Sequence, residues 1–114
     1  MWLQKKRKTK LDKLLDTLKP NDILVEMFGY NMTLFSFYKV VARKNKTVKL
    51  VELDRNVVAT KGFMQFQVKP VNKTSYLTRE IITKRFNKYG NICIDNKILF
   101  RYNPSVEYIE NHAD

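Results

Sequence analysis

The chain has 114 residues, of which 44% are hydrophobic, and this length accommodates one ordinary domain with a packed core but not two. Its 22 lysines and arginines outnumber 11 acidic residues, and the formal net charge of +11 favours an anionic partner such as nucleic acid. No stretch is apolar over the ~18 residues of a membrane-spanning helix, so we expect no membrane span, and a membrane is a less favoured partner than nucleic acid or a protein.

The first 20 residues predict a basic arm followed by an amphipathic helix. Four leucines have the spacing of one helical face: Leu11, Leu14, Leu15 and Leu18. Thr9 is suited to cap this helix and Pro20 to end it. Packing of the helix on the core is the favoured interpretation, and binding of a partner is the alternative. The arm supplies five candidate contacts to a polyanion: Lys5, Lys6, Arg7, Lys8 and Lys10.

From Asn21 onward the apolar pattern has a period of two, which predicts β-strands. The predicted strands are 22–28, 34–43, 46–53, 63–68, 83–89, 91–94 and 97–102. A tight turn at Lys44 and Asn45 joins the second strand to the third. A loop or ragged strand is predicted over 54–62, and the segment 78–83 is ambiguous between helix and strand.

One helix followed by short strands predicts an α+β fold that is mostly β. The expected architecture is an N-terminal helix followed by a small SH3-like barrel or a rolled antiparallel sheet of about five to seven strands. In this organisation residues 1–20 form the basic arm and helix, 21–103 form the barrel domain, and 104–114 form an acidic C-terminal tail.

The sequence offers no catalytic residues, so we expect a protein that is not an enzyme and that needs no cofactor, metal or small-molecule substrate. The sole histidine, His112, lies in the predicted tail. The sole cysteine, Cys93, has apolar neighbours that are typical of a buried thiol. Asp22 and Glu26 approach a carboxylate pair most closely, but they would be about 13 Å apart along a strand and are interpreted as surface charges.

Two segments, 35–46 and 84–89, interleave aromatic and basic side chains. Single-stranded nucleic-acid binders use this combination, since cations contact phosphates and rings stack on bases. For each Phe, burial in the core is nevertheless the favoured interpretation. Beyond the arm, the candidate residues for binding nucleic acid or a partner are Tyr30, Thr33, Arg43, Lys44, Lys46, Lys84, Arg85, Lys88 and Tyr89.

Residues 18–25, with the sequence LKPNDILV, precede the pattern Phe28-Gly29-Tyr30, Thr33, Phe37-Tyr38 and Val40. The combination resembles a family of small bacteriophage and prophage proteins with a "GDIL" strand and a "WGYxQTNxDFYxV"-like block. The resemblance covers about residues 18–110. It implies a mobile-element origin and an SH3-like or barrel-like fold, but no particular activity.

The chain departs from the family pattern within this block. Phe28 stands where the family tends to have Trp. Apolar or small residues replace the usual polar ones at three positions: Met32, Leu34 and Ser36. Of the residues in this block that could bind a ligand shared with the family, only Tyr30 and Thr33 therefore remain.

These patterns predict a phage or mobile-element accessory protein that binds DNA or RNA through a basic surface. The alternative is an inhibitor of a host defence nuclease, of anti-CRISPR or anti-restriction type, acting by protein–protein binding on the nuclease or its ribonucleoprotein. A third hypothesis is a peripheral-membrane module that uses the helix and arm. The charge could also serve solubility alone.

We expect the host cytoplasm as the location. A single cysteine cannot form an internal disulfide, and the N-terminus lacks the apolar run of a signal peptide. The sequence leaves the oligomeric state open.

Overall fold

The computed structural model describes residues 17–29, 32–71 and 79–112, and in these ranges the chain forms ten β-strands. The strands are β1 (Ile23–Phe28), β2 (Leu34–Lys44), β3 (Thr47–Leu53), β4 (Arg55–Gly62), β5 (Gln65–Pro70), β6 (Ile82–Arg85), β7 (Cys93–Ile94), β8 (Lys97–Ile98), β9 (Phe100–Arg101) and β10 (Tyr108–Asn111). Within the same ranges, no helix is long and apolar enough to cross a membrane.

The predicted α+β class with an N-terminal helix is wrong. Thr17 is the single described residue in a helical conformation, and the described chain is otherwise strands, turns and irregular segments. Most of the predicted helix lies outside the described residues. Its end, Leu18 and Lys19, is irregular, and Leu18 is buried against the sheet. The spacing of the leucines alone does not distinguish one face of a helix from an apolar residue of an irregular segment that packs against the core.

The strands form three sheets rather than one rolled sheet of five to seven strands. The main sheet has five antiparallel strands in the order β6-β3-β2-β1-β9. Its centre is the β2–β3 hairpin, which turns at Asn45 with a φ of 58°. Asparagine tolerates this left-handed conformation better than most residues, which explains why the turn forms here. A bulge lies in β2 between Val40 and Ala42.

Two smaller sheets complete the core on opposite faces of the main sheet. Successive residues of a strand point to opposite faces, and Leu24 and Val25 of β1 lie in different apolar clusters. The cluster of Leu24 includes Ile94 of β7, whereas that of Val25 includes Val68 of β5. The β7–β8 hairpin therefore covers one face, and the three-stranded sheet β10-β5-β4 covers the other.

Several predicted boundaries shift for identifiable reasons. Residues 55–62 of the segment predicted as a loop or ragged strand form β4, whose residues are all exposed except Ala59, so no alternation of buried and exposed positions marks this strand. The predicted strand 63–68 is displaced to Gln65–Pro70, because Phe63 and Met64 occupy the β4–β5 turn and Met64 has a φ of 59°. The predicted strand 83–89 ends at Arg85, beyond which a turn begins.

The segment interpreted as an acidic tail contains β10, which pairs with β5. Glu110 on this strand is 1% exposed. Its Oε2 accepts a hydrogen bond from the Phe35 backbone N–H at 3.0 Å and lies 2.7 Å from Arg55 Nε. Its Oε1 lies 2.9 Å from Nε2 of His112. Glu110 therefore links the main sheet to the three-stranded sheet. The net charge of the segment, from which a tail was predicted, does not reveal this contact.

Candidate nucleic-acid interface

The fold brings the two basic segments of the sequence together at one end of the main sheet. Thr47 of β3 lies directly opposite Lys44 of β2 on one side and Arg85 of β6 on the other. Next to this row, the Phe86 backbone N–H donates to the Lys46 carbonyl at 2.9 Å. Residues 43–46 and 84–85, far apart in sequence, are thus neighbours in space.

A second row of residues extends the same surface along β3. Lys49 lies opposite Ala42 on β2 and Thr83 on β6. Directly opposed residues share one face of a sheet, and alternate residues of a strand return to it. We call this surface the basic face, defined by Ala42, Lys44, Thr47, Lys49, Thr83 and Arg85. Thr47 is half-buried and the other five residues are exposed.

The three cations of the basic face form a triangle. Lys44 and Arg85 are about 10 Å apart at Cα, because they are separated by two strand spacings of ~4.8 Å. Lys49 lies two residues, or about 7 Å, along β3 from the row between them. No ion pair joins any of the three to another residue of the described ranges. Their charge is therefore not neutralised by the described part of the chain.

Arg43 differs from these cations because it holds the hairpin in place. It lies opposite Val48, on the other face of the sheet. Its Nη1 donates to the Leu18 carbonyl at 2.7 Å, and its Nε donates to the Asn45 carbonyl at 2.9 Å. Its guanidinium carbon lies 4.7 Å from the centre of the Phe86 ring. These contacts give Arg43 a structural role at this end of the hairpin, and its part in binding stays a prediction.

The other predicted cations border the basic face without being part of it. Lys46 is exposed in the hairpin turn, and Lys84 is half-buried on the Arg43 side of β6. Lys88 and Tyr89 are exposed in the turn that follows, where Lys88 Nζ lies 5.2 Å from the Tyr89 ring centre. Asn87 fixes this turn by accepting the Tyr89 backbone N–H at 2.9 Å.

Most rings of the two aromatic and basic segments are in the core. Phe35, Phe37, Tyr38 and Phe86 are all buried. Phe37 and Phe35 contact Tyr108 edge to face, with centroid distances of 5.9 and 5.4 Å. The preference for core burial over base stacking at each of these Phe residues is therefore confirmed.

The remaining predicted site residues lie elsewhere. Thr33 forms an isolated antiparallel bridge with Asn111, at the end of β2 opposite to Lys44. Outside the described residues lie Lys5, Lys6, Arg7, Lys8, Lys10 and Tyr30.

Sequence reasoning missed Lys49. This residue lies between two fully buried neighbours, Val48 and Leu50, in a segment that the sequence did predict as a strand. The alternation alone therefore assigns Lys49 to the exposed face. What the sequence could not supply was the pairing with β6, which adds Arg85 to that face.

Acidic Glu26 lies toward the opposite end of the main sheet. Glu26 is buried, and its Oε1 accepts a hydrogen bond from the Tyr38 hydroxyl at 3.1 Å. Burial raises the pKa of Glu26, although this hydrogen bond opposes the shift. Burial and the nearby Glu26 carboxylate raise the pKa of Tyr38. The interpretation of Glu26 as a surface charge is wrong, because the pattern of β1 could not show that β7–β8 covers this face.

Among the described residues, cavities lie away from the basic face. One of about 250 Å³ is lined by Glu26, Tyr38, Asp95 and Lys97, among others. Another of about 730 Å³ lies at the β3–β4 connection and contains Arg55 and Arg79. Both arginines have carboxylate partners, since Arg79 Nη2 lies 2.8 Å from Asp54 Oδ1 and Arg55 pairs with Glu110. The charges that line the larger cavity are therefore balanced.

The residues with catalytic chemistry make structural contacts. His112 bonds Glu110, and its ring contacts Phe66 edge to face at 5.4 Å. Cys93 Sγ lies 3.8 Å from Nδ2 of Asn87. Over 17–29, 32–71 and 79–112, no three His, Cys, Asp or Glu side chains are grouped so that they could hold a metal ion.

Comparisons with protein-family models, with curated proteins and with solved structures found no match to this chain. The resemblance to small phage proteins therefore stays a prediction.

Proposed function

We propose that this protein is a non-catalytic nucleic-acid-binding protein and that the basic face is its binding surface. The observation that carries the proposal is the register of β3, which sets Thr47 between Lys44 and Arg85 on an exposed sheet surface. Lys49 adds a third cation to the same surface. The acidic residues Glu26 and Asp95 line a cavity away from this surface, together with Lys97.

Three exposed cations on a rigid sheet suit the contact of a protein with phosphates. Each phosphate that a cation neutralises releases counterions into solution, and this release favours binding at low salt. Thr47 and Thr83 place hydroxyl groups between the cations, and hydroxyls are common donors to phosphate oxygens. Lys46, Lys84 and Lys88 surround the surface and raise the local potential.

Fluorescence anisotropy with labelled DNA and RNA over a salt series tests the proposal. The test variant is Lys44→Gln, Lys49→Gln and Arg85→Gln combined. The control is Lys19→Gln, Lys69→Gln and Lys97→Gln combined, which removes equal charge from exposed positions on other elements. We expect the test variant to lose affinity ~tenfold or more at low salt, with a log–log salt slope flatter by about 3.

The control should keep most of the affinity and the salt slope of the unchanged protein. Equal losses in both variants would mean that net charge alone determines binding and that the basic face is not the site. The absence of binding to any nucleic acid at low salt with micromolar protein would contradict nucleic-acid binding itself.

A second candidate function is inhibition of a host defence nuclease by protein–protein binding. The observation that favours it is the apolar surface of the β4–β5 hairpin, where Phe63 at the tip is 85% exposed and Val57 is also exposed. A large exposed ring at a hairpin tip can contribute to a protein interaction surface when other apolar groups lie beside it. The hairpin belongs to a different sheet from the basic face, so the two functions would use different surfaces.

A pull-down from nuclease-treated host lysate tests this candidate. We expect a stoichiometric defence nuclease to be captured by the unchanged protein and by the Lys44, Lys49 and Arg85 variant. The Val57→Ser and Phe63→Ser double variant should fail to capture it. Capture of no such nuclease by the unchanged protein would count against inhibition.

The origin and location of the protein also enter as proposals. The resemblance described above supports a role in a phage or another mobile element. Cys93, the only cysteine in the sequence, supports a reducing compartment such as the host cytoplasm.

A further inference from the structure

We infer that the ligand of the basic face is the phosphate backbone of a double-stranded nucleic acid, contacted without base stacking. This inference rests on the proposed function and specifies its partner. The sequence interleaves rings and cations in 35–46 and 84–89, a combination that single-strand binders use. The structure buries most of these rings and leaves none of them on the basic face, and that arrangement is the basis of the inference.

The basic face carries cations and small residues but no ring. Besides its three cations, the face consists of Ala42, Thr47 and Thr83. Proteins that hold single strands without sequence preference rely on aromatic side chains on which successive bases stack. The rings on β2 that the sequence offered for this purpose, Phe35, Phe37 and Tyr38, are buried.

The exposed rings of the described ranges are on other elements. Phe63 is in the β4–β5 turn of another sheet, and Phe100 is on β9 at the far edge of the main sheet. Tyr89 is in the turn after β6, where Lys88 lies over its ring. None of these rings extends the rows of the basic face, so they do not provide the contiguous platform that several stacked bases require.

A surface that attracts only phosphates favours the nucleic acid with the higher charge density. Double-stranded DNA carries one negative charge per ~1.7 Å of its axis, and its binding shows a steeper dependence on salt than that of single strands. The Cα atoms of the three cations span about 10 by 7 Å. This spacing is comparable with the ~6 Å width of the minor groove of B-form DNA. Long lysine and arginine side chains at these positions can reach phosphates on both sides of such a groove.

The test measures the affinity of the full chain for four probes of one sequence and equal nucleotide concentration. The probes are duplex DNA, duplex RNA and the corresponding single strands, and a duplex of shuffled sequence is added as a fifth probe. We expect at least one duplex to bind about fivefold or more tightly than its own single strand, and a shuffled duplex to bind equally well. The Tyr89→Ser variant should match the unchanged protein within about twofold, because no base stacks on this ring.

Single-strand binding that equals or exceeds duplex binding would overturn this inference while leaving the proposed function intact. A loss of about fivefold or more in Tyr89→Ser would do the same, since it would reveal a stacked base. Failure of all four probes to bind at low salt would instead overturn the proposed function itself.

Discussion

Glu110 makes three polar contacts from a position with almost no access to water. Its carboxylate accepts the Phe35 N–H of the main sheet, pairs with Arg55 of β4 and bonds His112. A buried carboxylate is costly unless its oxygens are satisfied, and here both are. Glu110 therefore connects the main sheet to the three-stranded sheet, and the named strands of these two sheets do not pair with each other.

Replacement of Glu110 by Ala should lower the free energy of unfolding by about 3 kcal/mol or more, because it leaves a cavity and an unsatisfied Phe35 N–H. Glu110→Gln keeps an acceptor and should cost less. The control is Glu107→Ala, whose exposed pairing with Lys61 should contribute about 0–1 kcal/mol. Urea unfolding monitored by circular dichroism provides the measurement. Equal losses for Glu110→Ala and Glu107→Ala would contradict the role of Glu110.

The raised pKa of Glu26 predicts a dependence of stability on pH. Its ordinary value is 4.5, and burial raises it in the folded protein. The folded state therefore binds the proton more tightly than the unfolded state. The stability that this group contributes is complete below its unfolded pKa and is lost as pH rises through its folded pKa.

Glu26→Gln removes this titration and keeps an acceptor for the Tyr38 hydroxyl. From about pH 4 upward, the unchanged protein should therefore lose stability relative to Glu26→Gln. Urea unfolding of both proteins at several pH values measures the difference, with Glu107→Gln as an exposed control. A difference that stays constant, or that changes in favour of the unchanged protein, would contradict the burial of Glu26.

At the scale of elements, the β2–β3 hairpin is the unit that positions the candidate site. Its turn places Asn45 at a φ of 58°, and its register sets Lys44 beside Thr47. Arg43 reinforces the same end by bonding Leu18 and Asn45 and by contacting Phe86. The edge strand β6 then adds Arg85. The basic face therefore depends on the pairing of β3 with β2 and on its pairing with β6.

The turn gives a prediction for this hairpin. Asn45→Val places a β-branched residue in the left-handed region and should lower stability by about 1–2 kcal/mol. Asn45→Gly, which tolerates this conformation, should stay within about 0.5 kcal/mol of the unchanged protein. Ala42→Val is the matched control, because valine suits an exposed strand position. Thermal unfolding distinguishes the three variants, and equal melting temperatures for the Val and Gly variants at 45 would exclude a strained turn.

At the scale of the whole molecule, the main sheet is a central layer with chemically different ends. Its two faces are covered by the β7–β8 hairpin and by the β10-β5-β4 sheet, while the tip of β2–β3 and the adjoining part of β6 stay exposed. One end carries the basic face, and the other holds Glu26 in a cavity with Asp95.

The sequence by itself determined the basic balance, the strand-forming period from residue 21 onward and the bounds of the central hairpin to within one or two residues. These properties are local, because alternation and turn residues act over a few positions. Only the tertiary structure decided that acidic Glu110 is a core residue and that Arg43 bonds the Leu18 and Asn45 carbonyls. It also placed Lys49 beside Arg85 and removed the rings of 35–38 from any binding surface. These outcomes depend on which strands pair and which layer covers each face, and a linear pattern contains no contact between distant segments.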